Sequence, residues 1–374
     1  MIKNHPGKHF RTWIEINSFA IKNNCAVFRK IIGGKCLLSA VVKSNAYGHS
    51  LIEFSKTADR FGVDWFAVDS LVEGISLRKN GIKKPILVLG HTLPQLFDQA
   101  QKYNISITIS HPEALKILIR NLKRAPAIHI KIDTGMHRQG FVARDIPYVA
   151  SALRKYPPAK IEGIYTHFAT AREKDINSQL SSFEKSLAGL KFTGKKPIIH
   201  AANTAATLIS PKSHLNMVRV GIGLYGLWPS YKLEKSLFSH IELKPALSWK
   251  TVIGEIKKIP QGSAVGYDFT EKVKKDSTIA ICPVGYWHGY PRSLSGKSEV
   301  IVRRKKAKTI GRISMDMLVI DISEIPNARI NDPVILIGRD TNEEVSADLF
   351  AHWAETINYE AVTRLNPLIK RIYV

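Results

Sequence analysis

Between Leu37 and Tyr225 short apolar runs return with a steady rhythm, at 37–42, 65–69, 85–89, 105–109, 127–132, 161–165, 197–201 and 217–225. Runs of this length bounded by polar turns read as buried strands. Most are separated by stretches long enough for a helix, as at 111–123, where Ala114, Leu115, Leu118 and Leu122 fall at helical spacing. Eight strand-then-helix units predict an α/β architecture, a closed parallel (β/α)8 TIM barrel. Beyond about Leu243 the helical spacers disappear. The segments 248–256, 278–283, 299–302, 310–322 and 333–337 predict a mostly antiparallel β domain. The expected division is a barrel over 12–240 and a β domain over 241–374, with 229–242 as the connection. No internal repeat or low-complexity tract interrupts this order.

A chain of 374 residues is long enough for two domains with ample core. No charged-then-apolar leader and no apolar run of membrane-spanning length stands out, so the cytoplasm is the expected location and no membrane partner is expected. Cys25, Cys36 and Cys282 have neither metal spacing nor an even count, which fits a reducing compartment and predicts no metal site. The formal charge of +24, from 55 basic against 31 acidic residues, raises nucleic acid as a partner. The lysines are scattered, however, with one dense cluster at Arg303-Arg304-Lys305-Lys306, and no nucleic-acid motif accompanies it. A solvated basic surface that attracts small anions is the expectation, and no nucleic-acid partner.

The barrel prediction gives position a chemical meaning, because reactive residues of such barrels lie at the carboxyl ends of the strands. Lys43, Asp133, His167, Asn203 and Arg219 all fall at or near such ends. Lys43 directly follows the first run, where desolvation would favour a neutral amine able to form a Schiff base. A lysine that simply snorkels out of a strand end would look the same.

Lys43 is followed, after one residue, by Asn45-Ala46-Tyr47-Gly48-His49, which resembles the cofactor-lysine motif of the alanine racemases, pyridoxal-phosphate enzymes of the barrel type. The resemblance runs over nearly the whole chain. It implies pyridoxal 5'-phosphate as cofactor, with Lys43 as its lysine and as one of two proton-transfer groups. Tyr267, in Val265-Gly266-Tyr267-Asp268-Phe269-Thr270, resembles the second, acting from the other subunit. Phosphate donors by resemblance are Tyr47, Thr204, Gly221, Ile222 and Tyr359, Thr204 standing where serine is commoner, and Asn203 is implied as a further cofactor-binding residue. Arg219 would face the pyridine nitrogen, and His167 would link Tyr267 towards Arg219. Arg138, in Lys131-Ile132-Asp133-Thr134-Gly135-Met136-His137-Arg138, would hold the cofactor's phenolic oxygen and the substrate carboxylate. Lys131 matches a lysine often carbamylated in the family, an anion that orients this arginine. Met315 resembles the residue whose backbone N–H meets the substrate carboxylate, and Tyr286 the tyrosine at the mouth of the site.

Bland readings stand beside these. Gly221 and Gly223 could mark only tight backbone, Arg219 a structural ion pair, His167 a packed core residue, and Lys131 an ordinary strand lysine. The implied activity is interconversion of L- and D-alanine, a small amino-acid substrate, supplying D-alanine for peptidoglycan, in a homodimer whose sites are shared between subunits. The resemblance also suggests that residues 1–11 pack with the β domain. Where the family usually has Ala-Asp-Gly after the tyrosine, this chain has Trp287-His288-Gly289, expected to put two large rings near the entrance; Ser314 replaces a commoner cysteine. A serine or broad-specificity racemase and a non-catalytic pyridoxal-phosphate carrier are the alternatives.

Overall fold

The computed structural model describes residues 7, 9–120, 125–157, 160–190 and 196–374. The chain divides into two compact units: Phe19–Ala46 with Leu51–Lys244, and the described residues up to Ser18 with Tyr47–Ser50 and Pro245–Val374.

The first strand, β1 (Thr12–Ile16), belongs to the second of these units, and the next eight close the barrel of the other: β2 (Leu37–Val41), β3 (Trp65–Val68), β4 (Ile86–Val88), β5 (Ser106–Ile109), β6 (Ile128–Lys131), β7 (Ile161–Tyr165), β8 (Ile198–His200) and β9 (Met217–Val220). All neighbouring pairs are parallel, and β2 meets β9 to seal the ring. Each of the eight predicted runs contains one of these strands. The eighth run was expected to reach 225, but the strand ends at Val220, and Ile222–Tyr225 form a 3-10 turn. Helices alternate with the strands; Pro112–Arg120 buries Ala114, Leu115 and Leu118, while Leu122 lies outside the described residues. Near-continuous burial along β3, β5, β6 and β9 explains why these segments read as unbroken apolar runs.

The other unit is a ten-stranded sheet ordered Glu255–Ile259, Ser277–Cys282, Leu318–Asp321, Lys305–Ile310, Glu299–Val302, Pro333–Asp340, Leu247–Val252, β1 and Lys370–Tyr373, with Glu343–Val345 on Pro333–Asp340. Its pairs are antiparallel except that of β1 with Lys370–Tyr373. The expected barrel boundary at residue 12 is therefore corrected: β1 bonds Leu247–Val252 across more than two hundred residues of sequence. Residues 1–6 and 8 of the segment expected to pack here lie outside the described residues. Two expected single strands, 248–256 and 310–322, are each broken, the first by Ile253-Gly254 and the second by the loop 311–317. The loop 47–50 is tied into this unit as well, by Arg371 Nε donating to the Gly48 carbonyl at 3.0 Å and Tyr373 Oη donating to that of His49 at 2.7 Å.

Candidate active site

Lys43 follows β2 and opens a left-handed turn in which Ser44, Asn45, Ala46 and Tyr47 have φ of 56°, 56°, 52° and 51°. Left-handed conformation costs a non-glycine residue about 1–2 kcal/mol, so four in succession persist only where the surroundings hold them. Glu73 Oε1 accepts the Ser44 N–H at 2.6 Å, Asn45 Oδ1 accepts that of Leu51 at 2.9 Å, and Ala46 is fully buried. The turn thus presents Lys43 in one fixed place. The desolvation expected of this lysine is absent, since its side chain is 37% exposed and its Nζ lies 3.3 Å from Asp69 Oδ1. Strand β2 ends just before it, beyond the barrel's packed interior.

Arg219, on β9, is buried. Its Nη1 donates to His200 Nδ1 at 2.7 Å, and its Nη2 to the carbonyls of Thr166 and Ala201 at 2.8 and 3.0 Å and to His167 Nδ1 at 3.4 Å. The structural ion pair weighed above is not what holds it. Every acceptor is neutral, and among the described residues none of these bonds uses Nε. The guanidinium also lies 4.9 Å over the Tyr165 ring. Burial lowers its pKa to about 10, still cationic at neutral pH. Burial first, and then the neighbouring Arg219, Lys131, Arg138 and Lys43, hold His167 well below the ordinary imidazole range, so it is a neutral acceptor here.

Lys131 ends β6 at 5% exposure. Its Nζ donates to Gln139 Oε1 at 3.0 Å, and burial, aided by Arg219 and Arg138, lowers its pKa to about 8. That is no ordinary strand lysine. The loop after it is shaped by Asp133, whose Oδ1 accepts the N–H groups of Gly135, Met136 and His137 at 2.9, 3.1 and 3.1 Å. Gly140, at φ 136°, closes that loop where a Cβ would come within 2.6 Å of the Asp133 nitrogen. Arg138 stands on it, exposed, at the edge of a cleft of about 540 Å³ that His91, Ser110 and His111 also line.

After β8, Asn203 caps the helix Thr204–Ile209 by accepting the Ala206 N–H at 3.0 Å. Thr204 Oγ1 accepts the Gly221 N–H at 3.1 Å, which joins the segments after β8 and β9. Ile222 opens the 3-10 turn, so its N–H has no partner within it. Gly223 is a matter of space, because a Cβ there would meet the Phe28 ring at 2.4 Å.

In the β unit, Tyr47 and Tyr359 face each other with ring centroids 6.1 Å apart, and burial pushes the Tyr47 phenol up to about 12 and raises that of Tyr359. Tyr359 rides on the helix Asn358–Thr363, anchored by Asn358 Nδ2 donating to Asp348 Oδ1 at 2.8 Å. Tyr286 and Met315 are joined through backbone, with the Tyr286 N–H on the Ser314 carbonyl at 3.1 Å and that of Trp287 on the Met315 carbonyl at 3.0 Å. Tyr267 stands at the turn between the short strands Ala264–Val265 and Glu271–Lys272 and is 66% exposed. The expectation of two rings near the entrance is corrected for His288. It is buried, with Nδ1 accepting the Gly285 N–H at 3.2 Å, because the turn 285–288 folds its ring back; only Trp287 is exposed.

The sequence reading passed over Asp69, Glu73, Gln139 and His200 as site residues. His200 lay within the run 197–201, Asp69 closed the run 65–69 and Gln139 directly followed Arg138 in its segment, while Glu73 had no local signal.

The alanine racemase N-terminal domain family matches residues 16–229, and the alanine racemase C-terminal domain family matches 246–373. An alanine racemase of Halothermothrix orenii is 39% identical over 97% of this chain and 96% of its own length, and one of Methanococcus maripaludis is 38% identical over 97% and 98%. Among solved structures, an alanine racemase of Bacillus anthracis with bound L-Ala-P superposes with a TM-score of 0.90 at 34% identity, covering 98% of this chain and 95% of that one. One from Clostridium difficile 630 gives 0.91 at 32%, covering 98% and 96%. With both domain families matched in order and relatives aligned end to end, the chain belongs to the alanine racemase family.

Proposed function

We propose that this chain interconverts L- and D-alanine with pyridoxal 5'-phosphate, in a homodimer that completes each site with residues of both subunits. Family membership makes it an isomerase, an amino-acid racemase. The observation that carries the cofactor reading is Arg219. A buried guanidinium held on both terminal nitrogens by neutral acceptors, with Nε uncommitted, suits a ligand atom that accepts a hydrogen bond. The other residues fit the same group: an amine at Lys43, a hydroxyl at Thr204, the Ile222 N–H, the Asn203 cap and the phenols of Tyr47 and Tyr359 for a phosphate, and Arg138 for a phenolate and the substrate carboxylate.

When bound, pyridoxal phosphate supplies the electron sink that acidifies the substrate's Cα–H. The residues do the rest. Lys43 Nζ takes or returns the proton at Cα on one face, and Tyr267 Oη of the partner subunit does so on the other. Inversion requires groups on opposite faces, because one must remove a proton while the other returns one. Arg219 Nε donates without surrendering its proton, which keeps the sink weaker than a pyridinium and favours proton return at Cα. His167, a neutral acceptor towards Arg219, offers its Nε2–H towards the partner's Tyr267. Met315 N–H and Arg138 hold the substrate carboxylate, and Tyr286 stands at the mouth. Lys131, with its lowered pKa, is the amine to carry a carbamate that orients Arg138.

The exposure of Tyr267, Phe269, Tyr286, Trp287 and Met315 on the β unit supports a partner surface. Three unpaired, buried cysteines support the cytoplasm, where D-alanine would feed peptidoglycan synthesis, and among the described residues no helix is long and apolar enough to cross a membrane. The test is the absorbance of the purified chain with and without borohydride, mass analysis of the Lys43 peptide, and a chiral assay on alanine and serine. Expected are a cofactor fixed to Lys43 by reduction, lost in Lys43→Ala, and a higher kcat/KM for alanine. Better turnover of serine would replace the alanine reading with that of a serine or broad-specificity racemase, and binding without turnover would favour a carrier.

A further inference from the structure

Arg219 is the mouth end of a chain of polar groups that runs down the barrel interior. His200, at the end of β8, accepts from Arg219 on Nδ1. A neutral imidazole that accepts on one nitrogen carries its proton on the other, so His200 donates through Nε2, and His129 Nδ1 accepts at 2.9 Å. By the same rule His129 carries its proton on Nε2. Among the described residues that buried atom has no hydrogen-bond partner, and it faces Glu162 Oε2 at 3.9 Å, near the start of β7. Ser106, at the start of β5, donates its hydroxyl to the same carboxylate oxygen. Burial, with the Arg219 charge, keeps both rings neutral, which their accepting role requires.

The rings are fixed by packing as well as by bonding. Tyr165 stacks on His200 at 4.8 Å and 9°, and Trp65 meets His129 edge-on at 5.4 Å. Residue 163 leaves the space for His129, since a Cβ on Gly163 would come within 2.2 Å of Nδ1. Each donor therefore points the same way, from a buried cation towards a half-buried carboxylate, and aligned bonds of this kind polarise one another.

We propose that His129 and Glu162 are positioning residues for Arg219, forming with His200 a one-directional wire from the barrel's foot that holds Nη1 and so leaves Nε as the donor at its mouth. The wire rests on the reading of Arg219 given above. Its effect on the reaction runs through His200 alone.

The test is a long-range proton–nitrogen correlation spectrum of the full, cofactor-loaded chain labelled with 15N-histidine, with His129→Gln used for assignment. His200 and His129 are expected as neutral rings with a bare Nδ1 and a proton on Nε2; a proton on Nδ1 of either ring, or a doubly protonated ring, overturns the proposal. In Glu162→Gln the His129 Nε2 proton should move upfield, and kcat for alanine should fall about tenfold with KM little changed. Unchanged kcat overturns the proposal. Should Glu162→Gln fail to fold, kcat and KM of His129→Gln are read in its place, with the same roughly tenfold fall in kcat expected. A chain that shows the wire and does not racemise alanine refutes the proposed function instead, while racemisation with the opposite tautomers refutes the wire.

Discussion

Lys131 Nζ donates to Gln139 Oε1 at 3.0 Å inside a ring of like charge, so a strand lysine is tied by a neutral amide where a carboxylate would be the ordinary partner. Burial and the cations Arg219 and Arg138 lower its pKa to about 8, which leaves a useful fraction as free amine at neutral pH. A carbamate forms only on the free amine, so its yield should rise as pH climbs through about 8. With 13C-bicarbonate, a carbamate carbon resonance should appear in the wild type and vanish in Lys131→Ala; a signal that persists in that variant places the modification elsewhere.

Arg138 is expected to act on substrate binding rather than on the fold. Arg138→Lys replaces a planar, two-pronged donor by a point charge, and KM for alanine is expected to rise roughly tenfold, about 1.4 kcal/mol, with the melting temperature unchanged. Unaltered KM would detach Arg138 from substrate binding.

Tyr267 is 66% exposed, so Tyr267→Phe should leave chain stability within roughly 0.5 kcal/mol of wild type. The cofactor absorbance should survive while conversion from the L side stops. Retained L-to-D turnover would remove Tyr267 from its proposed part as proton-transfer group.

Acid should unfold the barrel early. The His129 pKa is lowered from 6.5 to about 3 by burial, and His167 and His200 are lowered for the same first cause. The unfolded chain binds protons on these rings below about 6.5 while the folded chain does not. Stability is therefore complete above that pH and falls as pH drops towards 3, by about 1.4 kcal/mol per pH unit for each ring. Denaturant melts between pH 7 and 4 check this, and a His129→Gln variant should show a shallower loss; an identical slope would discount the ring.

Gly285 holds Tyr286 against the loop of Met315, because a Cβ there would lie 2.2 Å from the Ser314 carbonyl oxygen and 2.5 Å from that of Met315. Both obstacles are backbone and cannot swing aside. Gly285→Ala should cost roughly 2–4 kcal/mol, seen as a lowered melting temperature; a neutral substitution would mean that the two loops separate freely.

Local pattern determined the barrel. Parallel strands buried on both faces must be apolar throughout, so each of the eight announced itself without reference to its neighbours, and Lys43, Arg219 and His167 could be placed at strand ends by counting. Chemistry carried by short unbroken segments, such as the one from Lys43 to His49, was legible for the same reason.

Only the tertiary structure decided the rest. The segment Thr12–Ile16 was expected at the start of the barrel span, but its place in the other sheet depends on hydrogen bonds to Leu247–Val252 and Lys370–Tyr373, and no residue within it names its partners. His288 reads as a bulky ring beside a tyrosine, and its burial follows from a turn that folds it back. The wire from Arg219 through His200 and His129 towards Glu162 joins strands β9, β8, β6 and β7. Sequence orders residues along one line, whereas a closed barrel gathers alternate residues from distant strands into a common interior, and proximity of that kind exists only once the ring is shut.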